Sequence, residues 1–277
     1  RSAAALRGAQ VAYLNPLSTD LFGQGLGQRL RQDGVALSLP PSRKPTSLAV
    51  VQLTDGQPSY RFYREGIADR DYTPEQVIAV LRAQPAGVLH TGSLLLIPPE
   101  HHKVLAIVKA AHELGWTISV DINLRPKVAD DLPRYVQAVR EVMALADWLK
   151  ASDEDLQTLG YEDVCIDHAD ALVQTLRHEF SDDALSRIAL TFGGNGAHVD
   201  IFGMRCTSPV PKVSVQDTVG AGDTFWGNTV ADWAMNPEQC GLRVSETLEL
   251  AMTAAAINCT RQGCQPPTAA EIMAYVQ

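Results

Sequence analysis

The segment Asp217-Thr218-Val219-Gly220-Ala221-Gly222-Asp223 brings glycines and a carboxylate together where a helix begins. The apolar positions that follow, among them Phe225, Val230 and Trp233, read as an amphipathic helix, so backbone N–H groups stand unpaired at its N-terminus. Such an end binds anions. Glycine lets the backbone approach closely, the helix dipole adds about half a positive charge, and no cationic side chain is needed. Asp223 at the mouth of this site would repel a phosphate unless it serves to accept a proton. Phosphoryl transfer to an alcohol needs both parts: a carboxylate that orients and deprotonates the hydroxyl, and donors that stabilise the transferring group. The plainer reading is a carboxylate placed to suit the helix dipole. The glycines, and four further polar loops, favour the first.

Those loops follow from the periodicity. Ala86 to His90, Trp116 to Asp121, Asp147 to Lys150 and Arg187 to Phe192 read as short buried strands. Between and after them the spacing predicts helices from Pro99 to Leu114, Tyr135 to Ala146, His168 to Glu179, Gly222 to Trp233 and Ser245 to Arg261. Strands separated by helices imply crossovers, hence an α/β fold with a mainly parallel sheet covered on both faces. Ligands bind such sheets at the carboxyl ends of the strands. There the chain places His90-Thr91-Gly92-Ser93, Asp121-Ile122-Asn123-Leu124-Arg125, Lys150-Ala151-Ser152-Asp153 and Thr191-Phe192-Gly193-Gly194-Asn195-Gly196. Ser47 to Val51 and Ser59 to Tyr63 break the pattern, reading as a hairpin over the turn Asp55-Gly56-Gln57-Pro58. We expect residues 34–70 to form a small β lid between a core segment at 1–33 and the nucleotide- and substrate-binding core at 71–277.

Composition narrows the classes. The 277 residues are 45% hydrophobic and 20% charged, with 23 Lys and Arg against 32 Asp and Glu for a net charge of −9 and no basic run. Neither nucleic acid nor an anionic membrane is an expected partner. No apolar stretch reaches the roughly 18 residues of a membrane span, and the start Arg1-Ser2-Ala3-Ala4-Ala5-Leu6 does not read as a signal peptide. A cytoplasmic protein with reduced thiols is expected, the five cysteines being scattered without a CxxC pair. His101, His102 and His112 lack metal-ligand spacing and are expected at solvated helix positions. The chain has no GxGxxG, no GxxxxGK[ST] and no GxSxG.

The Asp217 to Asp223 segment resembles the DTxGAGD signature of the PfkB, or ribokinase-like, carbohydrate kinases. Supporting similarity runs along the chain: Asp20-Leu21-Phe22-Gly23 with Gly34-Val35, Phe62-Tyr63-Arg64 with Ala68-Asp69, Asp121-x-Asn123-x-Arg125, Lys150-x-Ser152-Asp153, Thr191-x-Gly193 with Gly196, and Thr260-Arg261-x-Gly263. Within the family the pattern is most similar to fructokinases, then to 2-keto-3-deoxygluconate kinases. The resemblance implies a three-layer α/β sandwich with a β lid and an ATP:sugar phosphotransferase, with Asp223 as base and the N–H groups of Gly220, Ala221 and Gly222 as anion hole. It implies sugar or phosphate contacts at Arg64, Asn123 and Arg125. Around the nucleotide it puts Lys150, Ser152, Thr191, Gly193, Gly196 and Asn258. Magnesium would arrive with ATP and be approached through water by Asp153, and potassium would lie near Asp217 and Thr218. A homodimer through the lid is expected separately, because a small hairpin sheet leaves unpaired edges.

The chain departs from the family pattern at three places. Lys150-Ala151-Ser152-Asp153 stands where NxxE is usual, Asn15-Pro16-Leu17-Ser18 replaces a glycine-rich turn, and Val128-Ala129-Asp130 follows the DxNxR motif. Arg1 matches the middle of the helix after the family's GGxxxN segment. A nucleoside kinase of the same fold, or a non-catalytic sugar- or nucleotide-binding relative, are the alternative readings.

Overall fold

The computed structural model describes residues 1–54, 57–180 and 185–276. In chain order the elements are α1 (Ser2–Leu6), β1 (Val11–Tyr13), α2 (Leu21–Gln32), β2 (Val35–Leu37), β3 (Leu48–Thr54), β4 (Gln57–Tyr63), α3 (Pro74–Arg82), β5 (Val88–Gly92), α4 (His101–Glu113), β6 (Thr117–Asp121) and α5 (Leu132–Met143). Then follow β7 (Trp148–Ser152), α6 (Asp153–Thr158), α7 (Ala169–Phe180), β8 (Arg187–Thr191), β9 (Ala197–Ile201), β10 (Met204–Ser208), α8 (Ala221–Met235), α9 (Val244–Cys259) and α10 (Ala269–Val276).

Helix boundaries follow local chemistry. Asp20 caps α2 through the Gly23 N–H, Thr73 and Gln76 form a capping box ahead of Pro74, and Asp131 caps α5. Gly115 follows α4 at φ +79°.

The six-stranded sheet runs β10-β9-β8-β7-β6-β5. Strands β5 to β8 are parallel, and β9 and β10 extend the sheet antiparallel. The two-residue period divides its side chains between two layers. Ile118, Val120, Leu149, Ala151, Ile188 and Leu190, all fully buried, pack with helices α3 to α7. The opposite face carries Trp148, Ala189, Val199 and Ile201 against Phe225, Trp226 and Trp233 of α8 and Leu248, Ala251 and Met252 of α9. On that face the Arg187 guanidinium stacks over the rings of Trp148 at 4.4 Å and Trp233 at 5.4 Å, while Trp233 meets both Trp148 and Trp226 edge-on at 5.4 Å.

Two smaller sheets flank this core. Strands β1 and β2 pair in parallel, and β3 and β4 form an antiparallel hairpin whose register runs from Leu48 opposite Tyr63 to Thr54 opposite Gln57. Gln57 and Pro58 therefore belong to β4 and not to the turn; Asp55 and Gly56 lie outside the described residues.

Two expectations change. Helix α8 is buried around most of its circumference, from Thr224 to Trp233, because α1 and α9 cover the sides that the sheet does not. Gly227 permits the α1 contact, since a Cβ there would stand 2.8 Å from that of Ala3. His101 is buried at the start of α4, with Nδ1 unpaired, whereas His102 and His112 are exposed as expected. Its face of α4 also carries the buried Val104 and Val108 and the half-buried Leu105, so the histidine enters with them.

Candidate active site

The carboxyl ends of β5 to β8 form one edge, and the first turn of α8 reaches it. Gly220 takes φ +77°, a left-handed conformation suited to glycine, and a Cβ there would stand 2.2 Å from the Cys264 sulfur. This turn is held from several sides. Ala221 N–H donates to the Thr218 carbonyl at 3.2 Å and Thr224 N–H to the Gly220 carbonyl at 2.8 Å. Asp217 accepts from the N–H groups of Val219 and Gly263, both at 2.9 Å, and these bonds hold its carboxyl below the usual range. Asn258, fully buried, donates to the Val219 carbonyl and accepts from Gln265 N–H, each at 2.9 Å.

The turn consumes the Ala221 N–H, so of the three N–H groups expected to form an anion hole, from Gly220 to Gly222, two remain unpaired among the described residues. Among the described residues the N–H groups of Gly220 and Gly222 have no hydrogen-bond partner, and neither does that of Asp223, whose side chain is exposed. Unsatisfied donors beside a free carboxylate are what transfer to a hydroxyl requires.

Lys150, read from the sequence as lying around the nucleotide, is buried. Its Nζ lies 2.8 Å from Asp121 Oδ1. Burial pushes the Asp121 carboxyl up to about 6 despite Lys150, with Asp155 and Asp223 adding to the rise. The lysine is also raised: burial opposes its charge, but Asp121, Asp155 and Asp223 outweigh that. The carboxylates thus keep the proton, and the charge, on the lysine.

Asp155 is the carboxylate that sequence reading passed over. It accepts N–H groups from Leu124 at 2.7 Å and Ser152 at 2.8 Å, while the Ser152 hydroxyl caps α6 by accepting from Asp155 N–H. The signal was the S-x-x-D spacing of a capping box. Asp153, one residue into α6, accepts only the N–H of Glu154.

Over β5 and β6 lie the candidate sugar contacts. Arg64 follows β4, yet its side chain is only 9% exposed: it reaches the Asp69 carboxylate at 3.2 Å and the Leu94 carbonyl at 3.4 Å. Tyr135 donates to the Ser93 carbonyl, and both Arg64 and Arg125 lie close enough to act on its ionisation. Arg125 is exposed and its guanidinium returns to the carbonyls of Asn123 and Leu124. Asn123 itself has φ +40°. Over β8, Thr191 ends the strand, Phe192 N–H bonds the Gly196 carbonyl, and a Cβ on Gly196 would stand 2.2 Å from the Ser208 carbonyl oxygen. Gly193 occupies this loop at φ +52°, and Thr218 stands exposed before Val219.

The structure therefore brings Asp223, Gly220, Gly222, Lys150 and Asp121 together, with Arg64, Asn123 and Arg125 toward one side and Thr191, Gly193 and Gly196 toward the other. A family model described as pfkB family carbohydrate kinase matches residues 2–271. The chain belongs to that family.

Its relatives agree. The sequence is 31% identical over 230 residues to the fructokinase of Rhizobium leguminosarum bv. trifolii, covering 83% of this chain and 68% of that protein. It is 31% identical over 285 residues to probable fructokinase-4 of Arabidopsis thaliana, covering 98% and 83%. The fold matches the structure of fructokinase with bound ATP from Xylella fastidiosa with TM-score 0.84 at 24% identity, over 100% of this chain and 88% of that one. The expected ribokinase-like α/β architecture with a mainly parallel sheet is present, and this carbohydrate kinase is a phosphotransferase acting on a sugar hydroxyl.

Proposed function

We propose that this kinase is a fructokinase that uses ATP. The observation that carries the reading is the exposed Asp223 carboxylate beside unpartnered N–H groups at the head of α8, supported by relatives named fructokinase. Asp223 orients a sugar hydroxyl and takes its proton. The hydroxyl oxygen forms a bond to the γ-phosphorus, the bond to the β,γ-bridging oxygen breaks, and ADP leaves with that electron pair. The N–H groups of Gly220 and Gly222 stabilise charge on the transferring group.

Arg64 and Arg125, with Asn123, bind the sugar side; Thr191, Gly193 and Gly196 border the nucleotide side, and Ser152 and Asn258 serve it by holding the loops in place. Among the described residues no three His, Cys, Asp or Glu side chains cluster as a metal cage. Magnesium fits as an ion carried by the nucleotide phosphates, which it would neutralise, with the half-buried Asp153 reaching it through water. Asp217 and Thr218 offer oxygens to a potassium ion.

Residues 34–70, with the β3–β4 hairpin, are the proposed lid. Exposed Leu48 and Val50 on β3 support a homodimer through it, and free cysteines support a place in the cytoplasm.

ADP release with ATP and magnesium over fructose, 2-keto-3-deoxygluconate, ribose and adenosine tests the reading. Fructose turnover at least tenfold above the others is expected. Preference for 2-keto-3-deoxygluconate or adenosine would reassign the substrate, and ATP binding without turnover on any would favour a non-catalytic relative.

A further inference from the structure

Strands β6 and β7 place Asp121 and Lys150 directly opposite each other in register, so both side chains leave the sheet toward α8. The Lys150 side chain is 4% exposed and that of Asp121 6%. A Cβ on Gly222 would lie 3.6 Å from the Lys150 Nζ and 3.9 Å from its Cε. The ammonium therefore packs against the back of the anion-binding turn. That is the unfavourable end of a helix for a cation, because the N-terminus already carries about half a positive charge. Burying the ion pair also carries a desolvation penalty, which an apolar pair of equal volume avoids. Stability does not explain the lysine; the field it adds at the anion site does.

We propose that Asp121 and Lys150 are positioning residues for the transfer step, an inference that rests on the kinase reading above. Asp121 fixes the ammonium behind Gly222. The ammonium adds a full charge to the partial charges of the α8 N–H groups, and it balances the Asp223 carboxylate across the turn. The pair acts through the turn, without contacting nucleotide or sugar. Its effect belongs to the transition state, where charge on the transferring oxygens is redistributed.

The test is Lys150→Met in the full chain, assayed with ATP, magnesium and fructose beside Lys150→Arg, with thermal unfolding of each. For Lys150→Met, kcat is expected to fall by about 10- to 100-fold while KM for ATP and for fructose stays within about threefold. Lys150→Arg is expected to recover most of that loss. A rise of more than about tenfold in the ATP KM with kcat preserved would make Lys150 a nucleotide contact and overturn the proposal. So would a lower melting temperature with kcat unchanged, the result of a purely structural pair. Should Lys150→Met not fold, the double variant Asp121→Leu with Lys150→Met removes both charges and leaves no buried ion unpaired. The same kcat loss there supports the proposal, and full kcat overturns it. Wild-type protein that turns over no sugar would instead overturn the kinase reading itself, which the same assay shows separately.

Discussion

A Cβ on Gly220 would stand 2.2 Å from the sulfur of Cys264, so the turn before α8 is closed by a residue 44 positions further along the chain. Gly220→Ala meets that sulfur and also strains a backbone at φ +77°, a conformation costing of order 1–3 kcal/mol for a non-glycine residue. Loss of most activity and a lower melting temperature are expected. Gly222→Ala, whose Cβ meets Lys150 at an ordinary 3.6 Å, should leave the melting temperature nearly unchanged. Equal destabilisation of the two variants in a thermal melt would show that the turn is not held this way.

Asp223→Asn keeps the shape of the side chain and removes the proton acceptor. The expected result is a kcat lower by about 10² to 10⁴-fold, with ATP and sugar affinities nearly intact by calorimetry. An unchanged kcat would remove Asp223 from the mechanism.

Arg64 already has partners in Asp69 and the Leu94 carbonyl, and burial lowers its pKa below the usual arginine value. Its truncation to alanine should raise the sugar KM by roughly 10- to 100-fold, the worth of one charge-assisted hydrogen bond. The ATP KM is expected to stay constant. Steady-state kinetics with each substrate varied in turn would expose the opposite pattern.

Asp121 gives a signed pH dependence. Its carboxyl is raised from 3.8 to about 6, so between those values the folded protein holds a proton that the unfolded chain releases. The contribution of this group is fully present at low pH and declines as pH rises through about 6, by at most about 1.4 kcal/mol per unit. Asp121→Asn should remove that downward slope from urea-derived stabilities measured between pH 4 and 6.5, whatever its effect on their absolute level. An identical slope in the variant would assign the proton elsewhere.

The glycine turn at the head of α8 was legible in the sequence because glycine before a helix encodes its geometry locally. Strand order gave the convergence of the five loops for the same reason: each lies at the end of its own strand. What stayed hidden was contact between distant segments. The pairing of Asp121 with Lys150 depends on the register of two strands, and no residue spacing states it. Asn258 is committed to Val219 and Gln265, a role that appears only when α9 docks beside the turn. Asp153 is the first acid after the strand and the conspicuous one in the sequence, whereas the capping geometry turns the third, Asp155, inward.

The stacking of Arg187 over Trp148 and Trp233, with Trp226 alongside, gathers three of the four tryptophans where α8 meets the sheet. The helix that begins at the Gly220 turn thus carries an intrinsic optical probe. Any movement of α8 as substrates load changes the surroundings of Trp226 and Trp233 together, and binding can be followed by native fluorescence without a label.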